Sequence, residues 1–301
     1  MNFLATYIMR NRTSAVLVAV ASAVLSLLLP PLSYLSGAVA GLVTLRHGGR
    51  EGLIVLGIAG LLIALPALFS GSSGLVVIFG AVVWMPVWVL AVVLRQTVSL
   101  PATIIVAASF GVISVAVIHG VLVDPTEWWR GKLEMLRPIL TEAGWKPADV
   151  EANLTTLASA MTAMLAAAVM MTPLISLFIA RWWQALLYNP GGWRKEFQQL
   201  RLPATLVWVA VVIVTIAWFT GGSVQAFAAD LLIVILLLYL LQGLSVIHNL
   251  VNCRGLSVAW LVGLYALLLI LPQAVMLVAG LGFTDTWLDY RSRLNVDTDS
   301  S

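Results

Sequence analysis

Long apolar runs, separated by short charged segments, organise this chain. Charge-free stretches cover residues 14–45, 52–94, 96–123, 152–180, 202–229, 231–253 and 255–284. A helix needs about 20 apolar residues to cross a hydrocarbon core of ~30 Å. Each run therefore reads as at least one transmembrane helix, and two are too long for a single crossing. The stretch 52–94 breaks at Ser70-Gly71-Ser72-Ser73-Gly74, where small polar residues and turn formers interrupt a helix. That predicts spans near 52–69 and 75–94. The stretch 14–45 breaks at Pro30-Pro31, which removes two backbone donors and disfavours helix just before. It gives short pieces near 14–29 and 32–45, or one kinked span.

The remaining spans read near 101–122, 152–180, 204–220, 226–247 and 257–280. Pro147 suits a first helical position, and Asp149 and Glu151 suit the positive end of a helix dipole. The fourth run therefore predicts a helix over 147–183, about 55 Å long, that projects into water or bends at Pro173. The expected fold is all-α: one integral domain over residues 1–301, a polytopic transmembrane helical bundle of eight or nine spans. Arg10 and Arg12 precede the first run and Ala21-Ser22-Ala23 resembles a cleavage site, but the apolar run continues to Leu45, so it reads as a retained span.

Composition agrees: 61% of the 301 residues are hydrophobic and 10% charged, against about 25% charged in soluble domains. The net charge of +3 is scattered and excludes the clustered basic face of a nucleic-acid binder. One cysteine, Cys253, excludes an internal disulfide. Three histidines far apart in sequence, His47, His119 and His248, give no expectation of a metal or cofactor. Basic residues set the orientation. With the N-terminus in the cytoplasm and nine spans, ten of the 16 basic residues fall inside and six outside. That places the protein in a bacterial cytoplasmic membrane with the tail after Gly282 outside. All tryptophans except Trp84 and Trp88 lie near predicted span ends or in connections, as interfacial residues do.

Two connections stand out. The inner elbow 181–203 combines Trp182, Trp183, Tyr188, Trp193 and Phe197 with Arg181, Arg194, Lys195 and Arg201. Asn189-Pro190-Gly191-Gly192 is a strong turn signal. The simpler account is an aromatic and basic elbow at the headgroups; the sharper one is a docking surface for a cytoplasmic partner. The outer segment 124–150 predicts an amphipathic helix with Trp128, Leu133, Leu136 and Leu140 on one face, lying on the outer interface or closing over a cavity.

Within the spans, Asp230 is the one carboxylate expected at membrane depth. Intramembrane ionisable groups are costly and often functional, although Asp230 also lies near a helix N-terminus, which favours an anion. His119, Gln242, His248, Asn249, Asn252 and Gln273 are the other polar candidates, and such residues commonly bond across helices. With Asp230, the residues His119, Gln242, His248 and Asn249 form the candidate substrate-binding set. Ser159, Ala163 and Ala167, like Gly37 and Gly41, form small-residue ridges that favour close helix packing. Phosphate-binding loops, nucleophile elbows and zinc-protease motifs are missing from the sequence, so no enzyme activity is expected.

The inner elbow carries a resemblance. Arg181, then Tyr188-Asn189-Pro190-Gly191-Gly192-Trp193, then Glu196-Phe197 and Leu200-Arg201-Leu202 resemble the YybS-like family of bacterial polytopic membrane proteins. Gln242-Gly243 with His248, and Gly280-Leu281-Gly282 with Asp285, Trp287, Asp289 and Arg291, extend the likeness over most of the chain. That family is similar in fold to the substrate-binding membrane subunits of energy-coupling-factor vitamin transporters. The resemblance implies a small-molecule binding or transport-type protein, with the lipid bilayer as its surroundings and the elbow contacting a partner such as an energising ATPase. The alternative is a non-transporting scaffold that helps assemble an envelope or division complex; a lipid-handling enzyme or flippase comes third.

Overall fold

In the computed structural model, residues 2–69 and 79–291 are described. They are helical throughout, with no strand among the described residues. In chain order the helices are α1 (Asn2–Ile8), α2 (Arg12–Leu25), α3 (Leu32–His47) and α4 (Gly49–Phe69), then a π turn (Gly80–Trp84) leading into α5 (Met85–Thr97). There follow α6 (Leu100–Val121), α7 (Pro125–Leu133), a 3-10 turn (Glu134–Leu136), α8 (Arg137–Glu142), α9 (Pro147–Tyr188) and α10 (Gly192–Gln198). The last four are α11 (Thr205–Phe219), α12 (Gly222–Cys253), α13 (Ala259–Ile270) and α14 (Pro272–Leu288). The expected break at Ser70–Gly74 lies outside the described residues, as does Arg293.

Among the described residues, four stretches are long and apolar enough to cross a membrane: Gly80–Thr97, α6, α9 and α12. Helices α2, α11 and α13 are apolar but shorter. Helix α9 runs 42 residues, a contour of about 63 Å, and continues through Pro173. One expected span is divided. Residues 257–280 contain two helices, α13 and α14, separated at Leu271, which is extended (φ −119°, ψ 96°) before Pro272. Proline clashes with a helical predecessor, so α13 stops there and Pro272 opens the next helix.

The chain divides into two compact units, Met1–Ala107 with Met171–Leu200, and Ala108–Met170 with Arg201–Ser301. The first unit is built around α3, whose residues Ser36–Leu45 are all buried. A Cβ on Gly41 would lie 2.9 Å from the Ala180 Cβ, so the glycine lets α9 come close. Ser36 Oγ donates to the Ala19 carbonyl at 2.8 Å and accepts from Trp84 Nε1 at 3.0 Å, tying α2, α3 and the π turn. Arg95 donates to the carbonyls of Leu45 and Arg46 at 2.6 and 3.0 Å, which satisfies orphan acceptors at the C-terminal end of α3.

The Pro30-Pro31 break is a tight turn between α2 and α3. Leu27, Leu28 and Leu29 are exposed there. The backbone N–H groups of Ser26, Leu27, Leu28, Leu29, Leu32, Ser33 and Tyr34 all donate to nearby carbonyls at 2.9–3.2 Å, and the two prolines have none to place.

The second unit packs α12 between α11 and α14. On α9, the buried ridge is Leu154, Ala158, Thr162, Ala166 and Met170. The expected ridge of Ser159, Ala163 and Ala167 is displaced by one position and is not buried. The sequence spacing was right but could not fix which of two adjacent small-residue faces turns inward. The segment expected on the outer side forms two short helices, α7 and α8, joined by the 3-10 turn, with no buried residue among them.

Candidate functional site

The candidate residues fall on separate places along α12 and its neighbours. Asp230 and Gln242 are 12 residues apart, about 18 Å along the helix, and His248 is a further 9 Å or so on. They do not form one polar site.

Asp230, on the third turn of α12, meets His119, near the C-terminal end of α6. His119 Nε2 and Asp230 Oδ2 are 2.7 Å apart, with side chains only 10% and 12% exposed. Phe227, one turn earlier on α12, stands edge-on to the imidazole at 5.4 Å. The two residues are 111 positions apart in sequence, and each alone would be an uncompensated polar group at membrane depth. Together they satisfy one another through a hydrogen bond between an imidazole nitrogen and a carboxylate oxygen.

Gln242 sits in a second cluster, 1% exposed. Its Oε1 accepts from the Leu202 N–H at 3.0 Å. Its Nε2 donates to the Gly282 carbonyl at 2.9 Å, with Asp285 Oδ2 at 3.3 Å and Thr286 Oγ1 at 3.4 Å. Asp285 accepts from Arg291 Nη2 at 2.9 Å and from the Tyr290 N–H at 3.2 Å. Burial pushes the Arg291 guanidinium down from its ordinary value, partly offset by Asp285. Arg201 pairs with Asp289 beside it. Helices α12 and α14 cross here in backbone contact. A Cβ on Gly282 would lie 2.5 Å from the Gly243 nitrogen, and one on Gly243 would lie 2.9 Å from the Val278 carbonyl carbon. This cluster gathers Arg201, Leu202, Gln242, Gly243, Gly282, Asp285, Asp289 and Arg291 into one structural joint. Both the oxygen and the nitrogen of the Gln242 amide are hydrogen-bonded in it, so the joint reads as glue in the sense expected of polar residues between membrane helices.

His248 and Asn249 lie apart from both clusters. His248 Nδ1 donates to the Leu244 carbonyl at 2.8 Å, and Nε2 lies 3.4 Å from the Tyr265 hydroxyl. Asn249 Oδ1 lies 3.6 Å from Cys253 Sγ.

In the first unit, the elbow is ordered by three features. Gly191 takes a positive φ of 83°, the left-handed turn conformation that glycine adopts without strain. Arg181 donates through Nε and Nη2 to Glu196 Oε2 at 2.8 and 2.7 Å, so α10 folds back on α9. Phe178, Trp193 and Phe197 pack as a ring cluster with centroids 5.1–6.1 Å apart. Burial pushes the Glu196 carboxyl up, and Arg181 opposes that shift. Tyr188, Asn189, Pro190 and Gly191 remain exposed, and the Arg46 guanidinium stacks over the Tyr188 ring at 4.1 Å.

The segment 124–146 is tied to the start of α9 by charge. Glu151 accepts from both Arg130 and Arg137 at 2.7 Å, while Glu127 and Glu134 pair with the same arginines. Arg137 holds the Glu134 and Glu151 carboxyls below their usual value.

Sequence reasoning missed two features of the second unit. Asp285 lies beyond the predicted end of the last span and was marked only by the family resemblance, not as a partner of Gln242. The other is an open apolar groove of about 740 Å³ lined by α11, α12, α14 and Ala163 of α9, which leaves no periodic trace in the chain.

A family model described as "Predicted membrane protein (DUF2232)" matches residues 16–286. No curated protein and no solved structure matches the chain.

Proposed function

The chain belongs to the DUF2232 family of predicted membrane proteins, and on that premise we propose a small-molecule binding or transport-type role in the bacterial cytoplasmic membrane. Its working pair is His119 and Asp230. The N-terminus is cytoplasmic, the chain crosses eight or nine times, and the likeness to YybS-like proteins and to transporter substrate-binding subunits belongs to the same reading. The observation that carries it is the 2.7 Å imidazole–carboxylate pair, nearly buried among apolar helices. Such pairs are expensive at membrane depth and mark proton relays and ligand sites. A cationic ligand group replaces the imidazole as Asp230's partner, or a proton added to the pair releases one.

The test is thermal unfolding of the purified protein in phosphatidylethanolamine–phosphatidylglycerol vesicles, with vitamins, metal ions and lipids added between about pH 5 and 8, where histidine titrates. At least one compound should stabilise the wild type in a pH-dependent way, and Asp230→Asn and His119→Gln should lose that response. A panel that stabilises nothing, or variants that keep the response, would sink the proposal.

The elbow favours a second reading. Its exposed tip on an ordered aromatic base suits a protein partner, which fits a non-transporting scaffold as well as an energised transporter. Crosslinking from Tyr188 would yield a stoichiometric envelope complex for the scaffold and an ATPase for the transporter.

A further inference from the structure

A recess of about 430 Å³ opens in the first unit, where the C-terminal ends of α1 and α3 meet the N-terminal ends of α2 and α4. It is separate from the His119–Asp230 pair, whose residues belong to the second unit. Its volume falls within the range of small-molecule sites. Ile8, Ala15 and Val55 give it buried apolar walls. Ala5 and Ile8 are buried too, which anchors α1 and with it the turn that carries Arg10.

The charged lining is Arg10, Arg12, His47 and Glu51. Glu51 holds Arg12 side-on: Nε donates to Oε2 at 2.8 Å and Nη2 to Oε1 at 2.7 Å. That fixes the Arg12 fork and leaves its Nη1 without a partner among the described residues. The Arg10 guanidinium likewise has no hydrogen-bond or ion-pair partner among them. Two guanidiniums against one carboxylate give the recess a net charge of one plus with His47 neutral. Guanidinium forks match the oxygens of a phosphate, and a phosphodiester carries the single negative charge that balances this one.

Met9 and Arg10 also line an adjoining groove of about 500 Å³, together with Phe3, Tyr7, Leu187 and Tyr188. Phe3 is 83% exposed, and the Arg46 guanidinium over Tyr188 adds a further cation at the edge of the groove. An unpartnered arginine shared between a polar recess and an aromatic groove suits a molecule with an anionic head and hydrocarbon beside it. A free phosphate would use the recess and leave the groove bare.

We propose that the recess and groove together bind one anionic glycerophospholipid, its phosphodiester on Arg10 and on Nη1 of Arg12, and the hydrocarbon nearest its glycerol on Phe3 and Leu187. The purified full chain in dodecyl maltoside is titrated with phosphatidylglycerol or with phosphatidylcholine of the same chains, and bound lipids are counted by native mass spectrometry. The first phosphatidylglycerol should bind about tenfold more tightly than phosphatidylcholine. Arg10→Gln should weaken that first binding about tenfold, the loss of one charge-assisted hydrogen bond. Its thermal stability without lipid should match wild type, because the side chain is exposed and makes no contact to lose. Arg194→Gln removes an equal charge from the exposed elbow and should leave the first binding unchanged. Phe3→Ser should weaken it. Equal binding of the two lipids, or equal losses in Arg10→Gln and Arg194→Gln, would overturn the proposal. So would displacement of the lipid by inorganic phosphate or glycerol phosphate, which would make the recess a site for free phosphate. The His119–Asp230 reading is untouched by any of these results, because its test uses different variants and a different signal.

Discussion

Gly282→Ala is the sharpest test of how the second unit is held together. The new Cβ would start 2.5 Å from the Gly243 nitrogen and 3.1 Å from the Gly243 Cα, and nearer still to the Tyr239 carbonyl oxygen. Ordinary contact begins at 3.4 Å, so clearing the Gly243 nitrogen alone requires the helices to open by about 0.9 Å, and clearing the Tyr239 oxygen requires more. The obstacles are backbone atoms, which cannot rotate aside as a side chain does. An opening of that size stretches the 2.9 Å bond from Gln242 Nε2 to the Gly282 carbonyl past hydrogen-bonding range. It also forfeits a quarter to a half of the dispersion energy across the contact. Overpacking of ~1–3 kcal/mol and a lost hydrogen bond of ~1 kcal/mol together give about 3 kcal/mol. Gly280→Ala is the internal control. It sits two residues away, meets nothing within 4 Å among the described residues, and should stabilise the helix by about 0.5–1 kcal/mol. Both variants can be measured by SDS-titrated unfolding in mixed micelles. If Gly282→Ala unfolds within about 0.5 kcal/mol of wild type, or if Gly280→Ala costs as much, backbone contact is not what limits the crossing.

Gln242→Leu leaves the Leu202 N–H and the Asp285 carboxylate short of a partner, so it should cost about 1–3 kcal/mol. Amide exchange at Leu202 should quicken, and unchanged exchange there would refute the assignment. The arginine–glutamate network around Glu151 should make the outer segment sensitive to acid. The Glu134 and Glu151 carboxyls titrate below their ordinary value of 4.5 when folded, so the stabilisation they give is complete above that value and is lost as pH falls through the lowered ones. Fluorescence of Trp128 and Trp129 should report this loosening. Glu151→Gln should weaken the pH dependence, and a variant titrating like wild type would count against the network.

The fold was legible where the chain changes character abruptly. Pro30-Pro31 marks a turn because two consecutive residues lack donors. The single prolines were harder to rank. Pro173 passes inside α9 while Pro272 ends one helix and starts another, and neither flanking sequence differs in hydrophobicity enough to say which. What decides is whether neighbouring helices recover the freed backbone groups, a tertiary matter. The site was legible residue by residue and not as a set. His119 and Asp230 each stood out as polar in an apolar run, yet their pairing depends on the packing of α6 against α12. Gln242 looked as available as Asp230, and only the structure shows both ends of its amide bonded. Gly280-Leu281-Gly282 and Asp285 entered only through the family resemblance, and nothing in their spacing showed that they meet Gln242 across two helices.

The turn between α2 and α3 has a consequence for how the chain enters the bilayer. Its apex is three leucines and two prolines, and its donors are already met by its own carbonyls. Such a bend makes no demand on aqueous solvent, so the two helices can be delivered into lipid together as a preformed hairpin. Their depth is then governed from the other end, by the Arg12–Glu51 pair and the arginines near it.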